Sequence, residues 1–181
     1  MEKKDLKPAG VFKYFEEICQ VPRPSKKEEK MIAYLKAFGA KHNLETKVDE
    51  AGNVLIKKPA TPGKENLQTV VLQSHIDMVC EKNNDVQHDF LTDPIETEID
   101  GEWLKAKGTT LGADNGIGVA TELAILADDS IEHGPLECLF TVDEETGLTG
   151  AFALQEGFMS GDILLNLDSE DEGEIFIGCA G

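Results

Sequence analysis

The sequence predicts an α/β fold with a central mixed sheet and helices on both faces. Two observations carry this prediction. Amphipathic helical stripes alternate with short apolar runs of strand length, and turns rich in glycine and proline separate them.

The elements follow in order. Val11 to Cys19 places Val11, Phe12, Phe15 and Ile18 on one stripe, a helix that Pro22 and Pro24 stop. Ser25 followed by Glu28 reads as a capping box opening a second helix through Lys41, with Met31, Leu35 and Phe38 inward. From Glu45 the period changes. Residues 45–48 and 53–57 read as strands around Ala51-Gly52, and Thr61-Pro62-Gly63 as a turn. Residues 69–75 form a short apolar run that ends in polar side chains. Residues 95–99 and 102–105 flank Asp100-Gly101, a hairpin signal. Residues 115–127 read as a helix, 136–142 as a buried strand, 149–155 as a short helix, and 162–167 and 174–178 as strands. There are no internal repeats and no low-complexity linker. The stop at Ala180-Gly181, directly after an apolar strand, reads as a truncation.

Composition excludes several functions. A chain of 181 residues can bury one core, but its net charge of −18 repels phosphate backbones and anionic membranes. No stretch approaches the roughly 20 apolar residues of a membrane span. The charged start Met1-Glu2-Lys3-Lys4-Asp5 does not resemble a signal peptide, so the expected compartment is the cytoplasm. Cys19, Cys80, Cys138 and Cys179 are widely spaced and read as thiols rather than disulfides. Neither Cys80 nor Cys138 has a histidine beside it in sequence, which counts against a cysteine hydrolase.

Three apolar strands finish in side chains able to bind metal. Val70 to Asp77 ends in His75 and Asp77, Leu139 to Glu145 ends in Asp143-Glu144-Glu145, and Ile163 to Asp168 ends in Asp168. Asp114 lies in the glycine-rich turn Gly112-Ala113-Asp114-Asn115-Gly116 that opens a helix. Ligands gather beyond the carboxyl ends of strands in open α/β sheets, so one cleft can collect all four segments. Singly these residues say little, because adjacent acids recur at Glu16-Glu17, Glu28-Glu29 and Asp128-Asp129. Together they point to cations, since carboxylates clustered at strand ends otherwise repel one another. Asp77 beside His75 also suits a carboxylate that fixes the tautomer of a ligating imidazole. A phosphate cradle is disfavoured: residues 108–118 contain neither G-x-G-x-x-G nor a Gly-Lys-Ser/Thr ending, and Asp114 would repel phosphate.

These segments resemble the zinc aminopeptidase and aminoacylase superfamily, and within it the aminoacyl-histidine, or cytosolic nonspecific, dipeptidases. The resemblance runs from Val11 to the last residue. Its motifs are Ser74-His75-Ile76-Asp77-Met78-Val79, Gly108 to Gly116, Asp143-Glu144-Glu145-Thr146-Gly147 and Asn166-Leu167-Asp168-Ser169-Glu170. It implies two zinc ions about 3.5–4 Å apart that activate a water to hydrolyse the amide bond of a dipeptide, of Xaa-His type or broader. By the same likeness His75 and Asp168 bind one zinc, Asp114 bridges both, and Glu145 binds the other. Asp77 orients His75, Glu144 is the general base, and the Asp114–Asn115 peptide is cis. Nitrogen and oxygen ligands would also accept Mn2+ or Co2+.

The sequence departs from the family in two respects. Members complete the second zinc site with a late histidine and carry an inserted lid domain, and His42, His88 and His133 match no family ligand. Residues 1–181 are therefore expected to be the N-terminal part of the catalytic domain, without the lid and the C-terminal part. Weak occupancy of the second site and little activity follow for this chain alone. A homo-oligomer is compatible with the full-length protein. The alternatives are an aminoacylase or tripeptidase of the same superfamily, or a non-catalytic metal-binding module.

Overall fold

Short apolar runs become strands of one sheet, and the amphipathic stripes become the helices that cover it. The computed structural model describes residues 3–169 and 173–178. Its strands are β1 (Glu45–Val48), β2 (Val54–Lys58), β3 (Val70–His75), β4 (Thr97–Asp100), β5 (Trp103–Ala106), β6 (Leu136–Thr141) and β7 (Ile163–Asn166). Its α-helices are α1 (Ala9–Cys19), α2 (Glu29–Lys41), α3 (Ala113–Ala127) and the short α4 (Thr149–Ala153). Five strands form the mixed sheet in the order β1-β2-β6-β3-β7, while β4 and β5 pair as a separate hairpin. β3 runs parallel to β6 and β7, with His75 opposite Thr141 and Gln73 opposite Asn166. The chains leaving these three strands therefore depart from the same edge of the sheet.

Alternation along the strands divides the core. Val54, Ile56, Leu72, Cys138 and Phe140 meet Phe15 and Ile18 of α1, Met31 and Leu35 of α2, and Val119 and Leu123 of α3. Leu55, Val71 and Leu139 face the other way and meet Leu154, Phe158 and Met159, which follow α4. Every residue of β6 is buried, as befits a central strand covered on both faces. Among the described residues no helix is long and apolar enough to cross a membrane.

Two local readings differ from the structure. The second helix begins at Glu29 rather than after Ser25, because Lys26 adopts a left-handed φ of 66°. The Ser25 hydroxyl and the Glu28 carboxylate are used elsewhere, as described below. Residues 174–178 form no strand, and Ile175, Phe176 and Ile177 are exposed. A strand needs a neighbour to satisfy its backbone, and none pairs with this segment among the described residues. Glu170 and Cys179 lie outside the described residues. Cys19, Cys80 and Cys138 are free thiols. Burial raises the pKa of Cys80 to about 11 and that of Cys138 well above the usual thiol value, so neither favours the nucleophilic thiolate.

One buried acid gives the fold a pH dependence. Glu122 on α3 is fully buried and accepts a hydrogen bond of 2.7 Å from the Ser74 hydroxyl. Burial pushes its carboxyl well above the ordinary value of 4.5. The folded state holds a proton that the unfolded chain sheds, so the Glu122 contribution to stability is full below pH 4.5 and declines as pH rises above it. Glu122→Gln is expected to match the unsubstituted chain near pH 4 and to be more stable at pH 7. The gain is at most about 1.4 kcal/mol for each pH unit above the ordinary value. Denaturant melts of both proteins across this range check it, and a pH-independent difference would refute it.

Candidate metal centre

The four segments singled out in the sequence converge at the carboxyl end of the parallel strands. His75 closes β3, its ring is buried, and Nε2 faces the open end of the sheet. Nε2 lies 3.0 Å from Asp114 Oδ1, 3.8 Å from Glu144 Oε2 and 3.9 Å from Asp168 Oδ1. Ligand atoms of His75, Asp114 and Glu145 lie within 4.8 Å of one another, as do those of His75, Glu144 and Asp168. The resemblance implies a somewhat different grouping, with His75 and Asp168 sharing one ion and Glu145 on the other. All five side chains nevertheless share one site.

Local structure aims each of them. Asp114 stands in the irregular first turn of α3, entered through Gly112, whose φ of 67° is the left-handed conformation glycine adopts without strain. The Asp114–Asn115 peptide is cis, as the resemblance implies. Asn115 then donates from Nδ2 to Asp168 Oδ1 at 2.8 Å and to the Leu167 carbonyl at 3.2 Å, tying α3 to the end of β7. Glu144 and Glu145 follow β6 in a loop that begins at Asp143, itself at a positive φ of 48°.

Asp77 is fully buried and holds the centre together. Its Oδ1 meets His75 Nδ1 at 3.2 Å and accepts the Glu144 amide at 3.0 Å. Its Oδ2 accepts the Ser25 hydroxyl at 2.7 Å and the Glu145 amide at 3.2 Å. A third acidic group, Glu28, Asp77 and Asp143, lies behind the site. Each of its carboxylates already accepts hydrogen bonds: Glu28 takes the Lys26 and Asp143 amides on Oε1, and Asp143 takes the Thr146 and Thr149 hydroxyls. That group shapes the loop instead of offering ligands.

The electrostatics favour a cation. Burial raises the pKa of Glu144, Glu145 and Asp168, and neighbouring carboxylates push each further up against the opposing pull of His75. Burial also opposes charge on His75, yet its hydrogen bond to Asp77 and the acids around it raise its pKa to about 9. One imidazole among crowded carboxylates is a donor set suited to a divalent ion, which relieves the repulsion that these shifts record. Clefts of about 230 Å³ beside Glu144 and Asp168, and about 300 Å³ beside Asp114 and Asp168, leave the acids reachable.

Comparison with known proteins identifies the family. Residues 71–178 match the model of peptidase family M20/M25/M40, a span that contains all the converging side chains. The chain belongs to this peptidase family. M20 relatives include the cytosol non-specific dipeptidase of Escherichia coli strain K12, 53% identical over 99% of this chain and 37% of the relative. The crystal structure of aminoacylhistidine dipeptidase from Vibrio alginolyticus superposes with a TM-score of 0.95. It is 56% identical over 99% of this chain and covers 36% of that one. Aminopeptidase PepT from Bacillus cereus is more distant, with a TM-score of 0.76 and 26% identity over 90% of this chain and 43% of that one. The chain thus spans little more than a third of the length of the two dipeptidases.

Several residues around this candidate site were not evident from the sequence. Asn115 stands inside a quoted motif, but its bond to Asp168 depends on a partner 53 residues away. Ser25 and Glu28 read as a helix cap, and Asp143 as part of the acidic cluster ending a strand, until the loop after β6 meets the connector after α1. The burial of the chain's single arginine, Arg23, was equally hidden, although its uniqueness among 17 basic residues was a visible signal.

Proposed function

We propose that this chain is the N-terminal part of the catalytic domain of a dinuclear zinc dipeptidase acting in the cytosol. The observation that carries the reading is the convergence of His75 with Asp114, Glu144, Glu145 and Asp168 from four separate segments. His75 and Asp168 would hold one zinc, Asp114 would bridge, and Glu145 would hold the other. The region of the relatives that this chain does not span would supply the lid and the histidine completing the second set. The 53% identity to a non-specific dipeptidase supports a dipeptide as substrate.

When bound, the metal ions polarise the scissile carbonyl and acidify the attacking water. Glu144 takes the proton of that water and returns it to the leaving amine. Its raised pKa, owed first to burial and then to the acids around it, brings it closer to neutral pH and makes it a stronger base. Asp77 keeps the Nδ1 proton of His75 in place and leaves Nε2 free for metal.

A zinc titration of this chain tests the reading, and its expected result is one tighter and one weaker site, the tighter one lost in His75→Ala. A dipeptide panel on the full-length protein, including Xaa-His substrates, tests the reaction. Absence of zinc uptake would overturn the metal centre, and preferred cleavage of acylated amino acids or tripeptides would make the enzyme an aminoacylase or tripeptidase.

A further inference from the structure

Of the 17 basic residues in the sequence only Arg23 is an arginine, and it is only 3% exposed. It lies in the connector between α1 and α2, flanked by Pro22 and Pro24. Its Nη1 donates to the carbonyls of Ile76 at 3.2 Å and Asp77 at 3.1 Å, and its Nη2 to the carbonyl of Gly112 at 2.6 Å. The first two acceptors lie just beyond His75, and the third lies two residues before Asp114. The same connector pairs Pro24 with Met78, donates the Ser25 hydroxyl to Asp77, and receives the Asp143 amide on Glu28. It therefore touches three of the four segments that build the site.

The glycine turn makes room for this side chain. A Cβ added at Gly112 would come 2.6 Å from Arg23 Nη2, and one at Gly116 would come 2.7 Å from it. A buried cation is costly unless its donors are satisfied, and a planar fork can hold several carbonyls in fixed directions as a lysine cannot. Lys58 provides the contrast. It too is buried and donates to two carbonyls, of Ile125 and Asp128, but these lie at the far end of α3.

We propose that Arg23 is a positioning residue of the metal centre, fixing the spacing between the end of β3 that carries His75 and the turn that carries Asp114. The proposal rests on the zinc reading above. It makes the 3.0 Å approach of His75 Nε2 to Asp114 a property of the guanidinium as well as of the sheet.

The test measures zinc affinity by chelator competition, and the visible spectrum with Co2+, for the unsubstituted chain, Arg23→Lys, Arg23→Met and Lys58→Met. Thermal melts of the metal-free proteins accompany them. Both Arg23 variants are expected to bind zinc about 10–100-fold more weakly, the range seen when groups that orient metal ligands are removed. Their Co2+ spectra are expected to change, whereas Lys58→Met lowers the melting temperature and leaves affinity unchanged. If Arg23→Met fails to fold, Arg23→Lys decides. Unchanged affinity in Arg23→Lys, or an equal loss in Lys58→Met, would reduce Arg23 to a purely structural role. Failure of the unsubstituted chain to bind zinc would remove the metal centre itself, and this proposal with it.

Discussion

Glu144→Gln in the full-length protein is expected to lower turnover by about 10²–10⁴-fold while leaving zinc content near normal. Glutamine keeps the size of the side chain but cannot accept a proton from water. The loop does not depend on the carboxyl, because Glu144 is held through its backbone amide by Asp77. Structure makes this test pointed, since Glu144 and Glu145 are both near His75 and either could reach an ion. Steady-state kinetics with metal analysis separates the two. Joint loss of zinc and turnover would make Glu144 a ligand and exchange its role with Glu145.

Asp77→Ala is expected to weaken zinc binding about 10–100-fold and to destabilise the metal-free chain by about 3–5 kcal/mol. The substitution removes the acceptor of four hydrogen bonds at once and leaves His75 buried without its partner. Burial opposes ionisation of Asp77, but the bond to His75, with the Glu144 amide and Ser25, lowers its pKa to about 2. In the metal-free chain the pair thus imposes two pH limits. The His75 contribution is complete below its ordinary value of 6.5 and is lost as pH rises through about 9. The Asp77 contribution is complete above 3.8 and is lost as pH falls through about 2. Asp77→Asn should flatten the alkaline limb, which denaturant melts from pH 6 to 9 would reveal. A variant with unchanged zinc affinity and an unchanged alkaline limb would return Asp77 to the status of an ordinary buried acid.

The parts of the site legible in the sequence were those written in local pattern. His75, Glu144, Glu145 and Asp168 each stand at the end of an apolar run, and the parallel register of β3 with β6 and β7 places those ends together. Asp114 announced itself through a glycine turn. Ser25 and Glu28 misled because the capping rule is local, whereas their partners, Asp77 and the Asp143 amide, come from distant segments. Lys26 at positive φ then delays the helix by several residues. Residues 174–178 misled for a related reason: apolar composition marks a strand, but only a neighbouring strand makes one. The carbonyls that Arg23 reaches belong to the backbone and carry no residue code at all.

The two oxygens of Asp77 anchor successive amides, those of Glu144 and Glu145. One buried carboxylate thus pins the backbone of the proposed proton carrier and of the proposed ion holder, so any disturbance at Asp77 reaches both acids together.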